Sequence, residues 1–411
     1  MPIRTVLTNI GSMGNVQPFL ALAHELRRFE FEPVLALAPQ YATYVRSLGF
    51  EFVPIGQDLD YAALQRRDTE SALRGRNPLQ MMYESLAIVE PMMRQMFDEM
   101  AAVCEHAGLL ISGHLQPVSR MVHELTGIPF VSIHTNHFGQ SQPASFRNAL
   151  CSIVNPLRKQ LGLTPLTDPM HTDANSPQLA LYAMSKYLRA PSPGWPRHFH
   201  VTGFFYLEDD QWTPPGVLVD FLKEGPPPVV FSFSSIAHQN PEAVTDTLLE
   251  AIDRVSCRAI IQNGWSGLAK DRRLPSNVLS IGFVQHTWLL PKASCVVHAS
   301  GSGTQASTLR SGVPAVIVPH IGDQPLWAEL ARGLGCAKAI IPYGELTADS
   351  LAHALEETLT DRELYAKAKL IAQKVNAEQG VTRARRLITD LLLQLGVVSE
   401  EIAREPIEQV F

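Results

Sequence analysis

Val296-Val297-His298-Ala299-Ser300-Gly301-Ser302-Gly303-Thr304 is the stretch on which the reading of this chain turns. Its β-branched pair reads as the end of a buried strand, His298 closes that strand, and the small residues after it read as a loop that opens a helix at Thr304. Such a loop brings several backbone N–H groups to one point, and the helix N-terminus adds roughly half a positive charge. The combination is a seat for phosphate. The next strand-to-helix turn, residues 314–324, ends in Gly322-Asp323-Gln324. A carboxylate and an amide there suit sugar hydroxyls, so the two turns together point to a bound sugar nucleotide.

Working outward, the second half of the chain alternates strand and helix patterns. Strands are expected at 229–234, 259–262, 278–281, 295–298 and 315–319, and helices at 241–255, 304–311, 324–333, 347–359, 362–376 and 382–395. Phe231-Ser232-Phe233-Ser234-Ser235 places Ser234 and Ser235 at the end of the first of these strands, where hydroxyls can meet a phosphate or simply form a turn. In Gly282-Phe283-Val284-Gln285-His286-Thr287-Trp288, Phe283 can stack on a base and Val284 can offer backbone groups to a base edge. The competing reading makes Phe283 and Trp288 plain core residues. The first half alternates in the same way, with strands at 5–10, 33–38, 51–55, 109–112 and 130–134 and helices at 18–28, 40–48 and 117–126. Between 140 and 193 the pattern loosens around Pro143, Pro156, Pro165, Pro169 and Pro177, and a lid or a ligand-facing loop is expected.

Regular alternation implies parallel sheets covered by helices, and 411 residues exceed one core, so two α/β domains are expected. Stacked prolines at Pro214-Pro215 and Pro226-Pro227-Pro228 place a stiff connector at 213–228. Ligands of such sheets sit beyond the carboxyl ends of the strands, which predicts a site in a cleft between the domains. A net charge of −6 without a Lys/Arg block argues against a general nucleic-acid binder. Five scattered cysteines without metal spacing fit reduced thiols in a cytoplasmic protein. No signal-peptide pattern precedes the first strand and no apolar run nears the ~20 residues of a membrane span, leaving only peripheral membrane contact open.

From Gly282 to Gln324 the chain resembles the donor-binding motif of family 1 glycosyltransferases with the GT-B fold, which include plant, sterol, antibiotic and rhamnolipid enzymes. Phe283 stands where the family often has a base-stacking tryptophan, and His286 where plant members carry a glutamine. His298 matches the histidine that contacts the diphosphate, Ser300, Gly301, Ser302, Gly303 and Thr304 match the phosphate-cradling turn, and Asp323-Gln324 match the pair that holds donor-sugar hydroxyls. Gly11-Ser12-Met13-Gly14-Asn15-Val16-Gln17-Pro18 resembles the first strand-loop-helix of bacterial and sterol members, and Trp195-Pro196 with His200 to Phe204 resembles the segment before the linker in sterol and rhamnolipid transferases. The resemblance implies an acceptor-binding Rossmann-like domain over 1–212, a linker over 213–228, a nucleotide-sugar domain over 229–385, and a C-terminal helix over 386–411 returning to the first domain. It further implies inverting transfer of a hexose from UDP or dTDP to a hydrophobic phenol, lipid or natural product, with no cofactor and no metal, by a monomer or homodimer. Met81-Met82 and Met92-Met93 would suit a greasy acceptor, or lie in the core.

One residue departs from the family. Inversion needs an acceptor oxygen stripped of its proton, and relatives carry Asp or His where this chain has Asn15, whose amide orients a hydroxyl but takes no proton. Three explanations stand. His114, His134 or His137, each following a strand of the first domain, serves as the base. Alternatively the acceptor is already acidic, or catalysis is lost and the chain is a sugar-nucleotide-binding helper. A GT-B epimerase, which lacks this donor motif, ranks last.

Overall fold

The structure, a computed structural model, describes residues 2–74, 83–84, 87–135, 144–169, 173, 175–191, 193–208, 212–233, 238, 240–264 and 266–399. It folds as two units, one formed by residues 1–60, 79–207 and 378–411 and the other by 61–78 and 208–377. The described part of the first runs β1 (Ile3–Thr8), α1 (Met13–Arg27), β2 (Phe31–Leu37), α2 (Ala42–Ser47) and β3 (Glu51–Pro54). Helix α3 (Tyr61–Leu73) follows in sequence but is grouped with the second unit. The first unit resumes with α4 (Met93–Cys104), β4 (Leu109–Gly113), α5 (Ser119–Thr126), β5 (Phe130–His134), α6 (Ala144–Gln160), β6 (Leu179–Tyr182) and β7 (Phe199–Val201). Among the described residues its sheet has seven parallel strands in the order β3-β2-β1-β4-β5-β6-β7. Strands β4 and β5 are buried along their whole length, as expected of a sheet covered on both faces. Met93, Met96 and Met100 are core residues of this unit, so the methionines of α4 serve packing; Met81 and Met82 lie outside the described residues.

The second unit contains α7 (Gly216–Lys223), β8 (Val229–Ser232), α8 (Pro241–Val255), β9 (Ala259–Gln262), β10 (Val278–Ile281), α9 (His286–Leu289), β11 (Cys295–His298), α10 (Ser302–Ser311), β12 (Ala315–Ile317), α11 (Gln324–Gly333), β13 (Ala337–Ile340), α12 (Ala348–Thr360) and α13 (Arg362–Asn376). Its sheet is parallel in the order β10-β9-β8-β11-β12-β13. Helix starts follow local chemistry: Asn240 caps α8 by accepting from the Ala243 N–H at 3.0 Å, and Thr347 with Ser350 forms a capping box on α12.

The unit boundaries differ from the expected ones. Residues 213–228 hold α7, whose Leu218 and Phe221 pack in the second core. Pro215 is the N-cap of that helix, and because the N–H groups at a helix start have no intrahelical acceptor a proline there loses no hydrogen bond, so Pro214-Pro215 lead into a helix. The chain re-enters the first unit at Glu378, and α14 (Gly380–Gln394) lays Ala384, Ile388, Leu391 and Leu392 into the core that holds Leu22 and Leu26 of α1. Each large aliphatic so buried contributes about 1.5–3 kcal/mol of transfer free energy. A Cβ on Gly380 would sit 2.3 Å from the Phe204 carbonyl, which restricts this entry to glycine.

Candidate functional site

In each sheet the strand order reverses once, between β1 and β4 in the first and between β8 and β11 in the second. Ligands of open parallel sheets lie at the carboxyl ends of strands at such a point. His298 ends β11 and is paired in register with Ser232, which ends β8, so both sit at the reversal of the second sheet. Alternation along the strand sends Val296 to the side that packs on Leu289 and Leu290 and Val297 to the opposite core. His298 follows Val296.

The His298 ring is fully buried, and its Nδ1 accepts the backbone N–H of Ser300 at 3.0 Å. A nitrogen that accepts carries no proton, so the neutral ring has its proton on Nε2, and that buried Nε2 has no partner among the described residues. Burial first, and the neighbouring His286 second, push its pKa down to about 3. His298 therefore presents a hydrogen-bond donor without a charge. Ser300 sits at φ +65° and ties its hydroxyl to Gln305 Oε1 at 2.9 Å, turning the chain into α10. Gly301 is the N-cap of α10, no side chain caps it, and its first turn has no acidic residue. A Cβ on Gly301 or Gly303 would meet nothing within 4 Å, so the surface over this turn is open. Ser302 begins the helix, and Thr304 is buried in its first turn. The arrangement can bind an anion through backbone N–H groups and a neutral imidazole N–H.

His286 is tied to the same edge. Gln262 donates its Nε2 to the Val284 carbonyl at 3.3 Å, which turns Oε1 toward His286 Nε2 at 2.9 Å. His286 Nε2 is also 3.0 Å from the Ser232 hydroxyl, and burial pushes its pKa to about 4. Residue order gives no sign of the part Ser232 and Gln262 play, since each simply ends a strand and only the sheet brings them to His286. Val284 is buried and its carbonyl is engaged, while Phe283 beside it is 69% exposed and is no core residue. Trp288 takes the core role, packing edge-on to Trp212 at 5.7 Å. Gln324 opens α11; its Oε1 accepts the His320 and Ile321 N–H groups at 2.7 and 3.1 Å, and its Nε2 has no partner among the described residues. Asp323 precedes it as N-cap and accepts from Trp327 Nε1 at 2.7 Å. Ser234 and Ser235 lie outside the described residues.

At the reversal of the first sheet, Asn15 occupies the first turn of α1. Its Oδ1 accepts from the Ser12 hydroxyl at 3.4 Å, and a Cβ on Gly11, at φ +131°, would lie 2.4 Å from that oxygen. Asn9 links this turn to β4: its Nδ2 donates to the Asn15 carbonyl at 2.8 Å, and its Oδ1 packs so close to Gly113 that a Cβ there would stand 1.8 Å away. His114 follows Gly113 and is 7% exposed, with Nε2 buried and without a partner among the described residues and its pKa pushed by burial to about 4. His134 ends β5 fully buried, with Nε2 2.5 Å from Asn175 Oδ1. His137 lies outside the described residues. The chain has one Asp-x-Asp triplet, Asp58-Leu59-Asp60, and Asp58 accepts the Gln40 N–H at 2.5 Å. Among the described residues no three His, Cys, Asp or Glu side chains are grouped to hold a metal ion, and no helix is long and apolar enough to cross a membrane.

The chain matches two family models: the glycosyltransferase family 28 N-terminal domain over residues 5–141 and the erythromycin biosynthesis protein CIII-like C-terminal domain over 246–386. It is 29% identical to a sterol 3-beta-glucosyltransferase of Arabidopsis thaliana over 93% of this chain and 64% of that protein. It is 26% identical to O-mycaminosyltylonolide 6-deoxyallosyltransferase of Streptomyces fradiae, covering 94% of this chain and 97% of the relative. The chain thus spans under two thirds of the plant relative, and only 27% of a sterol 3-beta-glucosyltransferase of Cryptococcus neoformans. In fold it is similar to the glycotransferase of kitacinnamycin, with a TM-score of 0.75 at 20% identity over 95% of this chain and all of the other. A spinosyn rhamnosyltransferase complexed with thymidine diphosphate aligns with a TM-score of 0.71 at 18% identity over 93% of this chain and 99% of that one.

Proposed function

We propose that this chain, which belongs to the family 1 glycosyltransferases with the GT-B fold, transfers a hexose with inversion from a UDP- or dTDP-linked donor to a hydrophobic small molecule. The second unit holds the donor and the first the acceptor. The observation that carries the reading is the unpartnered Nε2–H of His298 beside the uncapped start of α10. Both are donors held in place before any ligand arrives, aimed at the charge that builds on a departing diphosphate. They need no metal to do so. Asp323 and Gln324 Nε2 on the following turn take the sugar hydroxyls, and Phe283 stacks on the base. The similarity to a sterol glucosyltransferase and a macrolide sugar transferase supports a greasy acceptor. The cytoplasm, where the five cysteines stay reduced, is the compartment that fits a nucleotide-sugar donor.

Incubation with UDP-glucose or dTDP-rhamnose and a panel of phenols, hydroxy fatty acids, sterols and macrolides tests this by product formation. A second reading rests on Asn15, which cannot take a proton: the chain binds nucleotide sugars as a helper without turning them over. Calorimetric binding of UDP or dTDP with no product on any acceptor favours that reading and sinks the first.

A further inference from the structure

Three aromatic rings stand in one row at the carboxyl edge of the first sheet. The register that pairs Gly113 with Ile133 and His134 with Tyr182 brings His114, His134 and Tyr182 side by side, one ring on each of three neighbouring strand ends. Their centroids are 4.5 Å apart at 18° for His114 on His134 and 4.4 Å apart at 9° for His134 on Tyr182, and Trp195 extends the stack by a further 4.4 Å. Asn175 grips His134, so the row is held at its middle. His114 is its end member on the side of β1. Continuing the register of Thr8 with Ser112 by two residues sets Ile10 beside His114, and the loop to Asn15 leaves from there. Asn9, bonded to Asn15 and packed on Gly113, joins the two positions.

We infer that His114 is the general base of the transfer, with Asn15 orienting the acceptor hydroxyl whose proton His114 removes. The inference rests on the proposed function. Burial lowers the pKa of the His114 ring to about 4 and the hydrogen bond to the Ile133 carbonyl works against that fall; with that carbonyl taking the other nitrogen's proton, Nε2 is the acceptor and has no partner among the described residues. Stacking on a ring that is itself pinned prevents His114 from turning that lone pair away. Asn15 Oδ1 is engaged by Ser12, so its Nδ2 is the group that can donate to the acceptor oxygen. In the reaction the acceptor O–H proton passes to His114 Nε2 and the acceptor oxygen bonds to the anomeric carbon. The bond from that carbon to the β-phosphate oxygen breaks, its electron pair leaves with the nucleoside diphosphate, and the imidazolium then returns its proton to water.

The test compares an aliphatic alcohol with an acidic nitrophenol in the wild type, His114→Gln and His114→Gln/Asn15→Asp. Glutamine keeps the bulk and polarity of the ring but takes no proton. His114→Gln should lower kcat on the alcohol by about a hundredfold or more, the usual worth of a general base, and on the nitrophenol by no more than about threefold. The added carboxylate of Asn15→Asp should restore alcohol turnover. Binding of dTDP and the melting temperature report whether the variants are folded. Equal losses on both acceptors, unchanged alcohol turnover, or a wild type that accepts only the nitrophenol each overturn the role of His114. A wild type that transfers to neither acceptor, nor to any other, removes the proposed function and the base with it.

Discussion

The backbone N–H of Ser300 donates to Nδ1 of His298 at 3.0 Å, and this bond decides which proton the imidazole carries. With Nδ1 occupied as an acceptor, the neutral ring must offer Nε2–H. A buried, unpaired N–H costs about 1–3 kcal/mol until something accepts from it. An accepting atom on a ligand would remove that cost, which the protein otherwise carries.

His298→Ala should therefore weaken dTDP or UDP binding by about ten- to a hundredfold, the range of a single hydrogen bond to a charged oxygen. Calorimetric titration measures it. Wild-type affinity in this variant would rule out the phosphate contact.

Helix α10 offers a substitution with opposed effects. Ser302→Glu puts a carboxylate on its first residue, where the dipole favours negative charge by about 0.3–1 kcal/mol. The melting temperature should hold or rise slightly while nucleotide affinity drops at least about tenfold. A loss of both would mean that the helix start is structural.

Phe283 is 69% exposed, so its removal takes little from the core. Phe283→Ala should leave stability within about 0.5 kcal/mol. If the ring stacks on the base, nucleotide affinity should fall by about 1–3 kcal/mol, whereas affinity for inorganic pyrophosphate should not change.

Acid should unfold the second unit earlier than its carboxylates alone predict. His238 and His286 are pushed to about 4 and His298 and His320 to about 3, in each case chiefly by burial. In the unfolded chain these rings titrate near 6.5, so between about pH 6.5 and 4 the unfolded state binds more protons and stability falls as the pH drops. Each ring adds a slope of up to about 1.4 kcal/mol per pH unit within that window. Denaturant midpoints measured from pH 7.5 to 4.5 should decline steeply below 6.5, and His286→Gln should flatten the decline. A flat profile would show that these rings are solvated in the native protein.

The parts legible from residue order are those in which physics acts over short spans. Short apolar runs marked β4, β5, β8 and β11, and the small residues from Ala299 to Gly303 marked a strand-to-helix turn open to an anion. Local pattern misled at 213–228, since stacked prolines suit a helix start as well as a stiff connector, and only packing of Leu218 and Phe221 separates the two. The same holds for Phe283 and Trp288, adjacent in the motif and apolar alike, of which one is exposed and the other packs on Trp212.

What residue order established is the kind of protein: two α/β units, each with a parallel sheet, and a turn of small residues behind His298 that opens a helix. Tertiary structure decided the chemistry of individual atoms. Ser300 sets the tautomer of His298, Gln262 and Ser232 reach His286 from the ends of two strands, and the parallel register lines up His114, His134 and Tyr182 from strand ends far apart in sequence. The reason is range. Strand and turn preferences arise within a few neighbouring residues, whereas a ring's proton and its reach are set by whichever groups the sheet places beside it.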